Sequence, residues 1–237
     1  MYITLTITRY RSYSALVAMM SMALFRIPLS LNKKITFYKL MGSGKNGTFD
    51  IRPDWRQWAI LAAHPTPPQS LNTAELLGGF IAGWLRFFGC EVYTMFLEPL
   101  EGHGRWDGRE PFGHLSRKTG IEGPVAVLTR ATIRLSKLRS FWRNVEPVAS
   151  QMAGADGFIT SFGIGEVPYI KQATFSVWQS QEHMKSFAYA LKSHREVIQK
   201  TRRENWYSED MFVRFRIVDH VGSIRGADPL KGMRQIT

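Results

Sequence analysis

The strongest constraint in this sequence is that one order of elements occurs twice. Residues Ile3 to Leu97 read strand, helix, strand, strand, helix, strand, and residues Val125 to Val218 read the same way. In the first pass the strands are Ile3 to Tyr10, Ile35 to Met41, Trp55 to Ala63 and Cys90 to Leu97, with helices over about Ser12 to Phe25 and Thr73 to Phe88. In the second pass the strands are Val125 to Arg134, Phe158 to Phe162, Ala173 to Trp178 and Met211 to Val218. Its helices run from Ser136, a capping residue, to about Met152 and from Gln181 to about Glu204. A glycine pair closes the second strand each time, Gly42-Ser43-Gly44 and Gly163-Ile164-Gly165.

A β-α-β-β-α-β unit builds a four-stranded antiparallel sheet with both helices on one face. Its other face stays open until a second sheet covers it. Two such units in one chain therefore predict an α+β barrel, sheet against sheet, with helices outside. The halves fall at 1–98 and 124–224, joined by a Gly- and Pro-rich stretch at 99–123 and followed by a tail at 225–237. A cavity between apolar sheet faces and helices is the expected ligand site, and a filled core is the alternative.

Composition narrows the function. The 237 residues are 44% hydrophobic, which suits a packed protein, and carry a net charge of +12. The bases are scattered, with the densest cluster at Lys200 to Arg203, and no nucleic-acid motif is present. Contact with an anionic membrane surface is the better use of that charge, and nucleic acid is not an expected partner. The single cysteine, Cys90, excludes an internal disulfide, suits a reducing cytoplasm and reads as a packed thiol. Arg9 and Arg11 precede an apolar run, Ala15 to Phe25, that superficially resembles a signal peptide. The strand-like alternation of Ile3 to Thr8 and the shortness of the run argue against both a leader and a membrane span.

Several chemistries are disfavoured by absent motifs. There is no His-Glu-x-x-His, paired-cysteine or clustered-histidine spacing for zinc, no Gly-x-Gly-x-x-Gly or Walker spacing for a nucleotide, and no Gly-x-Ser-x-Gly elbow. The helix after Trp178 is more informative. At helical spacing Met184, Phe187, Leu191, His194 and Ile198 share one stripe, so His194 aims inward. Two readings stand: a satisfied core histidine, or an imidazole that binds iron through one nitrogen while an acceptor orients the other. His183 is the second choice. Arg202, just beyond, suits a carboxylate such as a haem propionate, and with Trp206, Tyr207 and Glu209 it reads equally as a helix end with an aromatic plug.

These residues also resemble a family. Gly165-Glu166-Val167-Pro168, Gln172 to Trp178, Phe187-Ala188-Tyr189, His194 and Trp206-Tyr207-Ser208-Glu209 resemble the second half of the spheroidene monooxygenase family of carotenoid ketolases. So do Phe37 to Gly44 and Trp58-Ala59 in the first half, and His103-Gly104, Trp106-Asp107-Gly108 and Pro111-Phe112 in the joining stretch. The likeness runs from about Ile35 to Arg216. It implies two ferredoxin-like halves packed as a dimeric α-β barrel within one chain. It also implies haem b with His194 as iron ligand, molecular oxygen, a ferredoxin-type electron donor, and hydroxylation and ketolation of an acyclic carotenoid or similar apolar substrate. No distal acid is assigned by any motif. A haem or apolar-ligand binding protein without turnover, and a cofactor-free oxygenase or isomerase, are the competing expectations.

Overall fold

The structure, a computed structural model, describes residues 1–237 except 46–47, 117–119, 121, 191–198, 202 and 234–237. Its first half comprises β1 (Tyr2–Arg9), α1 (Ala15–Leu24), α2 (Arg26–Leu31), β2 (Phe37–Gly44), β3 (Pro53–His64), α3 (Thr73–Leu77), α4 (Gly79–Phe87) and β4 (Glu91–Gly104). The second comprises β5 (Val125–Ile133), α5 (Leu138–Met152), β6 (Phe158–Val167), β7 (Lys171–Trp178), α6 (Gln181–Ala190) and β8 (Tyr207–Gly222). The twofold β-α-β-β-α-β plan is therefore present.

Period-two alternation decides which face each side chain takes. In β1, Ile3, Leu5 and Ile7 turn into the barrel, and Thr4, Thr6 and Thr8 turn out beneath the helices. The strands close as β1-β3-β2-β6-β7-β5-β8-β4. Closure joins the halves edge to edge at two seams. β4 pairs with β8 from Tyr93↔Gly222 to Gly104↔Met211, whereas β2 meets β6 only at Gly42↔Gly165 and Ser43↔Ile164. Pairing these edges removes the unpaired backbone that two stacked sheets would leave exposed. The interior is solid: Leu5, Tyr93, Met95, Leu128, Phe175 and Phe215 meet there with no exposed surface.

Several boundaries differ from the sequence reading, β6 among them, which runs on to Val167. β4 and β8 are longer than Cys90 to Leu97 and Met211 to Val218, because register shifts at Phe96/Leu97 and Pro99/Glu101 absorb Pro99, which reads as a strand breaker. The helix from Ser12 passes Phe25 and ends at Leu31, since Pro28 sits in the first turn of α2, where its missing N–H costs nothing. The stretch Ser12–Leu31 is thus 20 residues at mean hydropathy 1.6, not the short run first read, and is long and apolar enough to cross a membrane by length and composition. The helix over Thr73 to Phe88 is broken at Gly78, whose φ is 97°.

The joining stretch and the C-terminal residues close the barrel mouths. Trp106 and Phe112 enter the core at one mouth, and Ile224 and Leu230 at the other. Gly104, Asp107, Gly108 and Phe112 recur at the same spacing as Gly222, Arg225, Gly226 and Leu230, and both turns have positive φ. Glu209 accepts the backbone N–H groups of Asp107 and Gly108 at 2.9 and 2.7 Å, and Glu91 accepts those of Arg225 and Gly226 at 2.9 and 2.7 Å. The duplication therefore extends to a pair of plugs, each pinned by a glutamate at the start of the strand it closes over.

Candidate active site

With the barrel filled, a cavity remains between the joining stretch and β8, lined by His103, Phe112, Leu115, Met211 and Val213, and the other place for a ligand is between a sheet and its helices. In the first half that space is closed. The outer face of β3 and the helices form one apolar cluster, including Tyr10, Phe25, Leu29, Ile60, Leu77 and Ile81. In the second half the described residues form two separate clusters. Val125, Val127, Met152, Trp178 and Met184 gather at one end, with Phe158 and Phe187 against them. Ile133, Phe141 and Trp206 gather at the other, with Phe49 reaching over from the first half to stack on Trp142 at 5.3 Å.

Between the clusters Thr129 is exposed, although it sits in a strand paired on both sides, to Thr174 of β7 and Phe212 of β8. Its counterpart is Thr6. Thr6 stands three residues before Arg9, which pairs with Glu91, as Thr129 stands three before Thr132, which pairs with Glu209. Thr6 has no exposed surface and hydrogen-bonds Thr94 at 3.0 Å. Among the described residues, one half covers this position and the other leaves it exposed.

The sequence-derived site residues fall around this opening unevenly. His194 and Arg202 lie outside the described residues. Trp178 and Phe187 pack on each other at 5.2 Å and form the apolar wall, and the Trp178 indole donates to Ser176 Oγ at 3.0 Å. Phe175, three residues before Trp178, points instead into the barrel core, because it takes the opposite phase of β7. His183 is committed to the start of α6, with Nδ1 3.0 Å from Ser180 Oγ and Nε2 3.5 Å from Asp156. Trp206 is fully buried and donates to Glu204 at 2.9 Å, so it is a plug. Burial pushes the Cys90 thiol up to about 12, so it stays neutral. Among the described residues no group of three His, Cys, Asp or Glu side chains is placed to hold a metal ion.

A buried ionic cluster at the Trp106 mouth was missed. Arg130, 1% exposed, shares the inward phase of β5 with Ala126 and Leu128. It pairs with Glu209 and lies 3.5 Å from Asp107 and 3.7 Å from Glu166. Lys39 bridges Asp107 and Glu166, Lys171 reaches Asp107 at 2.6 Å, and the Trp106 indole donates to Glu166 at 2.7 Å. Burial pushes the Asp107 carboxyl up, but hydrogen bonds from Lys171 and Lys39 outweigh it and hold it at about 2. Burial likewise opposes ionisation of Glu209, and the two backbone N–H groups with Arg130 bring it below the usual carboxylate value. The Lys39–Glu166 pair spans the short β2–β6 seam, so the cluster braces the weaker join. A charge on the inward phase of an apolar strand, as at Arg130, is the signal that could have revealed it. At the other mouth, His220 Nδ1 lies 3.3 Å from Asp228, and burial followed by that carboxylate pushes the Tyr93 phenol up.

Two β-α-β-β-α-β halves closed into one eight-stranded barrel, with helices outside and an opening beneath the second pair, make this a dimeric α-β barrel contained in a single chain. Two crystal structures of aldoxime dehydratase share the fold. One superposes with a TM-score of 0.56 at 9% identity, covering 94% of this chain and 84% of that one. The other, a complex with butyraldoxime, gives 0.59 at 10% identity, covering 92% and 79%. No protein-family model matches the chain. Curated relatives are more specific. The chain is 33% identical over 231 residues to spheroidene monooxygenase of Cereibacter sphaeroides, covering 96% of this chain and 70% of that protein. It is also 33% identical over 231 residues to that of Rhodobacter capsulatus, covering 96% and 94%. The chain belongs to the spheroidene monooxygenase family, and it is an oxidoreductase, a monooxygenase.

Proposed function

We propose that this monooxygenase is haem-dependent and uses molecular oxygen to hydroxylate and ketolate an acyclic carotenoid or a similar apolar substrate. The observation that carries the reading is the asymmetry between Thr6 and Thr129. The same scaffold position is sealed in one half and open in the other, between two apolar clusters. The described lining suits a flat apolar macrocycle. Thr129, Thr174 and Phe212 supply a floor without charge, and Trp178 with Phe187 supplies an apolar wall. His194 would provide the iron ligand and Arg202 would pair with a propionate, as the family resemblance implies.

Haem, when bound, supplies the oxygen-activating iron centre. The chain's own part is to exclude water and to position the substrate. Trp178, Phe187 and Phe158 do the first, presenting aromatic surface where bulk water would otherwise reach the sheet. Reducing equivalents come from a ferredoxin-type donor, and a net charge of +12 favours encounter with an acidic protein of that kind.

Absorption spectroscopy tests the reading. Protein expressed with ample haem is expected to show a Soret band, and His194→Ala to lose it. Thr129→Trp, which fills the opening from a solvent-facing position, is expected to weaken haem uptake by roughly tenfold or more with the fold intact by circular dichroism. Oxygen-dependent turnover by iron-free protein would sink the proposal.

A further inference from the structure

We propose that the outward surface of α1, α2 and α4 is a docking face for an anionic lipid bilayer, on which the barrel lies flat. Tyr13, Leu16, Met20, Leu24, Ile27 and Leu31 follow one another at intervals of three and four residues, and all are exposed, Tyr13 by 77% and Leu31 by 74%. That spacing is the apolar stripe of an amphipathic helix, but here it faces away from the protein. The opposite stripe, Ala18, Ser21, Phe25 and Leu29, is the one buried, in the cluster that includes Ile60 and Ala62 of β3.

α4 extends the surface. Its Phe80 and Phe87 are 55% and 83% exposed. Phe25 joins the two helices, with its ring 6.5 Å from Phe80 and 6.0 Å from Trp84. An apolar surface of this extent on a folded domain marks an interaction site.

Charge identifies the occupant. The sequence contains no acidic residue before Asp50, whereas Arg9, Arg11, Arg26, Lys33, Lys34, Lys39 and Lys45 all precede it. Arg9, Lys34 and Lys39 are taken up by carboxylates elsewhere in the fold. Arg11, Arg26 and Lys33 are exposed beside the stripe, and Arg86 is exposed on α4. Glu75 of α3 meets Lys34 at 2.8 Å, and the remaining exposed bases around the apolar side chains fit a bilayer with anionic headgroups. A second copy of the chain fits poorly, because a symmetric contact sets the same bases against themselves.

The stretch Ser12–Leu31 has the composition of a membrane span, but it is built onto the barrel. β1 precedes it directly and pairs on both sides, and its inner stripe is buried. It therefore lies along the interface and does not cross. The strand order sets β1 and β3 diametrically opposite β7 and β5, so docking turns the opening at Thr129 away from the lipid. Docking and turnover are separable on this geometry, and the inference does not depend on which substrate the site takes.

Co-sedimentation with vesicles tests it without haem or substrate. The protein is expected to pellet with phosphatidylglycerol-containing vesicles more than with pure phosphatidylcholine, and less as salt is raised. The triple variant Leu16→Glu, Ile27→Glu, Phe87→Glu is expected to lose partitioning by roughly tenfold or more with an unchanged melting temperature. Arg26→Glu with Lys33→Glu is expected to abolish the preference for anionic lipid. Equal pelleting of the triple variant overturns the proposal. So does a stable wild-type dimer in solution that the triple variant dissociates.

Discussion

Arg130→Met is expected to destabilise the folded barrel by about 3–5 kcal/mol, read as a shift in the urea midpoint. The guanidinium is 1% exposed, and its removal leaves Glu209, Glu166 and Asp107 facing one another with Lys39 and Lys171 as the remaining cations. Methionine keeps the volume but neither the charge nor the fork, so the cost is that of uncompensated buried carboxylates. Arg130→Lys keeps the charge without the two-pronged geometry and is expected to fall between the two. A loss under about 1 kcal/mol would mean that the cluster behaves as a solvated surface pair.

The same cluster predicts an acid limb to stability. The Asp107 carboxyl sits at about 2 in the folded state and Glu209 is also lowered, so both bind protons more weakly than in the unfolded chain. Their contribution is present above the unfolded carboxylate value near 4, and is lost as the pH falls through about 2. Asp107 is 39% exposed at its side chain, so solvent screening moderates its share. Urea midpoints collected down this range are expected to fall more steeply for the wild type than for Lys171→Met, which removes the first hydrogen bond that lowers Asp107. Parallel curves would contradict the assignment.

Gly222→Ala is the second large effect expected, at about 3 kcal/mol or more, lowering the melting temperature by roughly 6–12 °C for a chain of this size. Its φ is 93°, and an added Cβ would lie 2.0 Å from the Val92 carbonyl oxygen. That backbone belongs to the β4–β8 seam, which cannot yield without opening the barrel. Gly104 is its counterpart, with φ 95° and an added Cβ 2.2 Å from the Asp210 carbonyl oxygen, so Gly104→Ala should behave alike. Gly226→Ala is the control. Its φ is 74° but nothing lies within 4 Å, so only the left-handed backbone cost of about 1 kcal/mol remains. Equal losses at Gly222 and Gly226 would show that backbone strain alone decides, and not the close approach.

How much of this was legible beforehand can be judged from particular residues. The alternation in Ile3 to Thr8 and the recurring glycine pairs expose the twofold plan, because strand and helix periodicities are local properties of the chain. The inward aim of His194 is an expectation from helical spacing, and its role one from the family resemblance, because the residue lies outside the described ones. That Phe175 faces the core while Trp178 faces the helices is not legible in the sequence, because the phase of an aromatic-rich strand is set by its neighbours. The pairing of Arg130 with Glu209 is not legible in the sequence, because the two are 79 residues apart and meet only when β5 and β8 pair.

The sequence by itself determined the class of each element, the duplication and the membership of the family, since these depend on periodicity and identity along one dimension. Only the tertiary structure decided that the barrel is filled, that Thr6 is sealed while Thr129 is open, and that the stripe from Tyr13 to Leu31 faces outward. The physical reason is the same in each case. Burial is a property of what packs on a residue from elsewhere in the chain, and equivalent positions in two similar halves acquire different neighbours once the seams close.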